Sequence, residues 1–183
     1  MPMRVIAGIY RHRNLKYPEN NPNIRPTKDR IREAIFYALG DIEGLNSVDL
    51  YAGSGAMGIE SLSRGCKTAL FVDTSNLAIK TIQENLDSLK VEKNEYVLYG
   101  CDDKSALKIM ESKGYFFDLV FLDPPYEKGE YNEIISQLFD KNLLSEKAII
   151  VVEANKPQIF DNNLFNRIKE YKYGPIYVYI LWR

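Results

Sequence analysis

Asp123, Pro124, Pro125 and Tyr126 end a run of apolar residues, Leu119 to Leu122. Neither proline has an N–H to give a strand ladder, and each holds its backbone close to one φ value. The carboxylate of Asp123 and the carbonyl of Pro124 therefore make two hydrogen-bond acceptors on a rigid corner. Such a pair suits an amine carried on a nucleobase. The nitrogen lone pair of that amine is delocalised into the ring, which makes it a poor nucleophile. Acceptors that take both amine protons favour a more pyramidal nitrogen whose lone pair points outward, in line for an electrophilic carbon such as a sulfonium methyl. The anionic acceptor makes the stronger bond and stabilises charge growing on nitrogen. Fixed dipoles of this kind need no reorganisation during reaction. Tyr126 offers a face on which an unpaired base can stack.

A second group lies upstream. In DLYAGSGAMG, Gly53, Gly55 and Gly58 follow the pattern G-x-G-x-x-G, with Asp73 20 residues after Gly53. Glycines let a backbone turn tightly and approach a ligand closely. An acid at the end of the following strand can accept both hydroxyls of a ribose. The pair predicts an adenosine-containing cofactor. A nicotinamide dinucleotide would use the same spacing. Asp49, four residues before Gly53, argues against it, because a buried acid there repels a pyrophosphate and suits a cationic or amine-bearing ligand. His12 is the one histidine and lies far upstream, so no histidine is at hand for alcohol chemistry, for a Ser/His/Asp triad or for a metal site.

The elements that must position these residues can be read from periodicity. From Ser47 the pattern is strand then helix, repeated: SVDLYA, TALFVD, EYVLYG, FFDLVFLD and AIIVVE read as strands. Between them run helical patterns, such as Tyr131, Ile134, Ile135, Leu138 and Phe139 on one face. YKYGPIYVYILW reads as two strands about a Gly174-Pro175 turn. Alternating units of this length predict an α/β fold with a mostly parallel sheet covered by helices on both faces. Ligands then bind at the carboxyl ends of the strands, where the strand order reverses. Upstream, RVIAGIY and RNLKYP read as a short β-hairpin and NNPNIRP as its connector, together residues 1–26. A helix opened by Thr27 and running to Gly40, with Ile31, Ile35, Phe36 and Leu39 on one face, begins the compact unit 27–183.

The chain has 183 residues, 45% of them hydrophobic, and a net charge of −1, which suits one folded domain. Charge is unevenly spread. Up to Arg32 there are eight Lys and Arg against two Asp and Glu; the rest holds 16 basic and 23 acidic residues. Arg4, Arg11, Arg13, Lys16, Arg25, Lys28 and Arg30 make a basic head suited to a polyanion, although charge alone equally fits a solvated loop. Arg32 follows Ile31 directly and can instead bridge to the core. Arg11 and Arg13 flank His12 and would share one face of an extended segment. Cys66 and Cys101 show no metal-ligand spacing, and no apolar run is long enough for a membrane span. These features lead us to expect a cytoplasmic protein without a metal.

DLYAGSGAMG, FVD and DPPY together resemble the S-adenosylmethionine-dependent amino-group methyltransferases. RVIAGIYRHRNLKYP, RPTKDRIREAIFYAL and the closing GPIYVYILWR are similar to the bacterial 16S ribosomal RNA guanine-N2 methyltransferases, the RsmD-like family, over nearly the whole chain. The resemblance implies a Rossmann-like fold of seven strands, mostly parallel, with an antiparallel last strand. It implies S-adenosylmethionine as cofactor, with Ala52, Gly53, Ser54 and Gly55 against its methionine part and Asp49 near its amino group. Asp73 would take the ribose and Asp102 the adenine, with Asp103 an alternative. Asp123, Pro124 and Tyr126 would hold the target base. Arg4, Arg11, Arg13, Lys16, Arg25 and Arg30 would hold 16S ribosomal RNA, within the small subunit or its assembly intermediate. RNA rather than DNA, and guanine rather than adenine, rest on this resemblance. An adenine-N6 methyltransferase, a nicotinamide-dependent oxidoreductase and a catalytically idle nucleic-acid-binding module are the competing readings.

Overall fold

The structure, a computed structural model, describes residues 3–18, 29–125 and 131–183. Thr27, Arg25, Lys28 and Tyr126 fall outside them. Five strands alternate with helices and a hairpin closes the chain: α1 (Asp29–Leu39), β1 (Asn46–Asp49), α2 (Ala56–Ser63), β2 (Thr68–Val72), α3 (Asn76–Leu89), β3 (Tyr96–Tyr99), α4 (Asp103–Ser112), β4 (Phe117–Leu122), α5 (Tyr131–Asp140), β5 (Leu144–Ala154), β6 (Arg167–Tyr173) and β7 (Ile176–Trp182). The seven strands form one sheet in the order β3-β2-β1-β4-β5-β7-β6. β1 to β5 pair in parallel, and β7 runs antiparallel to both β5 and β6. Strand order therefore reverses beside β1, with β2 on one side and β4 on the other.

Alternation along the strands decides which side chains meet which helices. In β4, Val120 and Leu122 join a core with Ile134, Ile135 and Leu138 of α5. Leu119 and Phe121 face the other way, toward Ile31, Ile35 and Phe36 of α1. A third cluster joins Phe71 of β2 to Ile59 of α2 and to Ile82 and Leu86 of α3. Central strands buried on both faces need continuous apolar runs, and LVFL and IIVV supply them.

Gly58 sits where α2 crosses β2. A Cβ there would lie 2.3 Å from Cε1 of Phe71, a ring that is fully buried. Gly58→Ala is expected to cost about 1–3 kcal/mol, the usual scale for forcing extra volume into a packed core. The urea midpoint measures it. An unchanged midpoint would mean the helix shifts freely on the strand.

The N-terminal segment pairs with itself through one bridge, Arg4 with Asn14, rather than through two full strands. Turns occupy its middle, where the Arg11 amide donates to Gly8 O, the Arg13 amide donates to Tyr10 O, and His12 adopts φ 69°. Arg11 and Arg13 thus do not share a face of an extended strand, because the chain reverses there.

Candidate active site at the carboxyl ends of the strands

The glycine loop leaves β1 and enters α2 as a tight turn. Gly53 and Gly55 have φ of 54° and 77°, values that L side chains rarely adopt. The Gly55 amide donates to Ala52 O at 2.7 Å, and the Ile59 amide donates to Gly55 O at 2.9 Å, which starts the helix. Asp73, just beyond β2, accepts from the Gly53 amide on Oδ2 and from the Ser75 amide on Oδ1, both at 2.8 Å. Gly53 and the acid 20 residues on are thus bonded directly to each other, a contact that the sequence reading did not anticipate. Asp73 holds the loop in shape, and a carboxylate has lone pairs left over for further donors.

Asp49 ends β1 and is buried beneath this loop. Burial and the nearby charge of Asp73 push its carboxyl up to about 7, against the pull of the Gly58 and Tyr51 backbone amides. An acid that is costly to ionise at the floor of a loop suits a cationic ligand, which would restore the charged form. This donor set fits S-adenosylmethionine, whose amino group and sulfonium are positive. A raised carboxyl also sets a pH dependence. Between about 3.8, its ordinary value, and about 7, the folded chain holds a proton that the unfolded chain has lost, so this group's contribution to stability falls as pH rises through that window. Asp49→Asn is expected to raise stability relative to wild type more at pH 8 than at pH 4. Equal gains at both pH values, measured by urea unfolding, would remove Asp49 as the source.

Asp123 follows β4, with Pro124 buried behind it. Burial, then Glu153 and then Asp49, hold its carboxyl well above the usual carboxylate range. Sequence reasoning missed Glu153. It lies near the carboxyl end of β5, buried, and the β4–β5 register of Leu122 with Val152 makes it the next neighbour of position 123. The Tyr131 hydroxyl donates to Glu153 O at 3.2 Å, and burial, then Asp123 and Glu153, raise it to about 12. The signal for Glu153 was an acid closing the apolar run IIVV, but its relevance depends on β5 lying beside β4.

Asp102 has a structural task as well as its position after β3. It caps α4, accepting from the Ser105 amide at 2.9 Å and from the Ser105 hydroxyl at 2.8 Å, bonds that hold its carboxyl below the usual range. Asp103 is the first residue of that helix.

The basic head divides. Arg32 leaves it: the residue is 0% exposed, bonded to Asp29 and to Arg4 O and 3.8 Å from Glu60. Arg4 pairs with Asp29, Lys16 with Glu84, and Arg13 donates to Ser88 O. Arg11 and Arg30 are exposed. Lys16 and Tyr17 line a groove of about 400 Å³ against Leu77, Lys80 and Thr81 of α3. Tyr17 presents an exposed ring beside Lys16 in this groove. The same segment buttresses the glycine loop, since the Ser54 hydroxyl meets Met3 Sδ at 3.5 Å and Asn85 of α3 donates both to Lys16 O and to Ser54 O.

A glycine loop at the point where strand order reverses, acids closing β1, β2 and β4, and an antiparallel final strand define a class: the Rossmann-like methyltransferases. Within that class the chain belongs to the conserved hypothetical protein 95 family, whose pattern it matches over residues 3–182. It is 35% identical over 153 residues to Ribosomal RNA small subunit methyltransferase D of Escherichia coli (strain K12), covering 83% of this chain and 74% of that protein. It is 37% identical over 155 residues to YlbH of Bacillus subtilis (strain 168), covering 84% and 83%. The solved structure of yhhF from Escherichia coli superimposes with a TM-score of 0.84 at 30% identity, covering 100% of this chain and 98% of that one. Among the described residues no helix is long and apolar enough to cross a membrane.

Proposed function

We propose that this protein transfers a methyl group from S-adenosylmethionine to the N2 amine of a guanine in 16S ribosomal RNA. The observation that carries the reading is the pairing of a glycine loop and buried Asp49 on β1 with Asp123-Pro124 on the adjacent β4. The resemblance of the whole chain to Ribosomal RNA small subunit methyltransferase D supports the substrate.

When bound, the cofactor supplies an electrophilic methyl on a positively charged sulfur. Asp49, Ala52, Gly53, Ser54 and Gly55 hold its methionine end, Asp73 its ribose and Asp102 its adenine. Asp123 and the Pro124 carbonyl each accept one amine proton, and Tyr126 stacks on the base. The amine would take up the methyl as its N–C bond forms, the C–S electron pair remaining with the donor sulfur. The amine nitrogen becomes cationic and gives up one proton to Asp123, whose raised affinity for protons suits it to that task. Arg4, Arg11, Arg13, Lys16, Arg25 and Arg30 hold the RNA backbone, and the substrate is the small subunit or an assembly intermediate of it in the cytoplasm.

The test is incubation with small ribosomal subunits lacking the modification, followed by mass mapping of the methylated nucleotide. Methyl on guanine N2 supports the reading; methyl on adenine N6, or none, overturns it. Replacing both Arg11 and Arg13 by glutamine is expected to weaken RNA binding and to reduce its salt slope by about 1–2. A slope equal to that of wild type would assign both charges to solvent.

A further inference from the structure

Asp49, Asp123 and Glu153 come from three strands that lie side by side, β1, β4 and β5. The ladder pairs Asp49 with Phe121 and Leu122 with Val152. Position 153 is therefore one strand spacing, about 5 Å, from position 123. In β5, Val151 joins the core under α1, and Glu153, two residues on, points to that same face. The Tyr131 hydroxyl, bonded to Glu153 O, ties this end of β5 to α5. Glu153 is 7% exposed, so its carboxyl is an acid kept within the site, beside the one that holds the reacting amine.

The bases differ in what such a second acid would meet. Next to its N2 amine, guanine carries an N1–H donor. Next to its N6 amine, adenine carries N1 as an acceptor. An acceptor placed about 5 Å from the one that binds the amine matches the first pattern and opposes the second. A flipped base is read along this Watson–Crick edge. We infer that Glu153 is a specificity-determining residue that accepts the guanine N1–H while Asp123 accepts a proton of N2. The inference rests on the methyl-transfer reading above and adds to it the group that selects guanine. Carboxylate oxygens offer several acceptor sites, so Glu153 can receive N1–H in addition to contacts within the chain. A polar group built to meet a substrate N–H penalises an analogue that lacks it, because both partners are then left unpaired.

The experiment uses small subunits reconstituted with 16S RNA that carries either guanine or 2-aminopurine at the mapped nucleotide. 2-Aminopurine keeps the N2 amine but presents N1 as an acceptor. Wild-type protein is expected to prefer guanine by on the order of 10²-fold or more in kcat/KM. Glu153→Gln can donate an amide N–H to N1 of 2-aminopurine, so that preference is expected to shrink by at least tenfold while calorimetry shows unchanged cofactor binding. A fault in folding or packing would lower both substrates together and leave the ratio alone. Wild-type protein that methylates guanine N2 but accepts 2-aminopurine equally well overturns the inference. A Glu153→Gln ratio equal to that of wild type overturns it too. Both outcomes leave the methyl-transfer reading intact, whereas absence of guanine methylation in wild type removes that reading first.

Discussion

Asp123→Ala lowers methyl transfer by on the order of 10²-fold or more while the chain stays folded and binds S-adenosylmethionine. That is the scale on which a single preorganised polar group contributes to a rate. The same substitution does not destabilise. Asp123 is held above the usual carboxylate range by burial, by Glu153 and by Asp49, so the fold bears a cost for keeping it there. Removing the acid relieves repulsion, and the urea midpoint at pH 8 is expected to equal or exceed that of wild type. The sign follows from linkage. A group whose folded value is raised contributes most below its unfolded value and loses that contribution as pH rises. Single-turnover rates with labelled methyl donor, beside urea unfolding, give both numbers. Near-normal turnover would remove Asp123 from the chemistry. A large loss of stability would show that it serves the fold instead. Asp123→Asn separates charge from geometry: it keeps an acceptor oxygen but cannot take the proton, so its rate falls below wild type.

Glu60→Ala has its main effect on stability. Glu60 is 1% exposed and accepts from three donors, the Ile6 and Ala7 amides at 2.8 and 3.0 Å and Arg64 at 2.7 Å, with Arg32 Nε 3.8 Å away as an ion pair. Arg32 is fully buried, and its Nε and Nη1 make no hydrogen bond among the described residues. Burial lowers its affinity for its proton, and Glu60 is the largest influence opposing that. Breaking a buried pair from one side leaves a buried charge uncompensated and costs about 3–5 kcal/mol. Two backbone amides lose their acceptor as well. Urea unfolding of Glu60→Ala and Glu60→Gln measures the loss, and a shift below about 0.5 kcal/mol would show that Asp29 and the Arg4 carbonyl suffice for Arg32. The N-terminal segment is fastened by this same carboxylate. In variants that still fold, the salt slope of RNA binding is therefore expected to fall toward that of the Arg11 and Arg13 double variant.

The two predictions differ in how early their residues became visible. Asp123 was legible because its meaning is local: an acid, two prolines and an aromatic ring in consecutive positions limit what the backbone can do, whatever surrounds them. Glu60 lies on α2 within AMGIESLS, where a glutamate reads as an ordinary solvated helix residue. It becomes an anchor because the segment around Ile6 and Ala7 lies across the helix. Arg32, which its place beside Ile31 allowed to bridge to the core, is turned inward onto that anchor by α1.

Order along the chain was enough to establish the alternation of strands and helices, the glycine turn, the acid 20 residues beyond it and the acid-proline corner. Each of these depends on side-chain periodicity or on backbone angles within a few residues. Fold class and an adenosine-containing cofactor followed from them, and the amine-holding role proposed for the corner starts from them too. Tertiary structure decided what depended on neighbours distant in sequence. β4 and β5 are parallel, so a crossover helix separates Asp123 from Glu153 along the chain, and the β4–β5 ladder brings them side by side. The same holds for Arg32 with Glu60, which meet across 28 residues because α1 and α2 pack on the sheet together with the N-terminal segment. Spacing along a chain carries local geometry; which acids and bases become neighbours is settled by strand order and by the faces that helices bury.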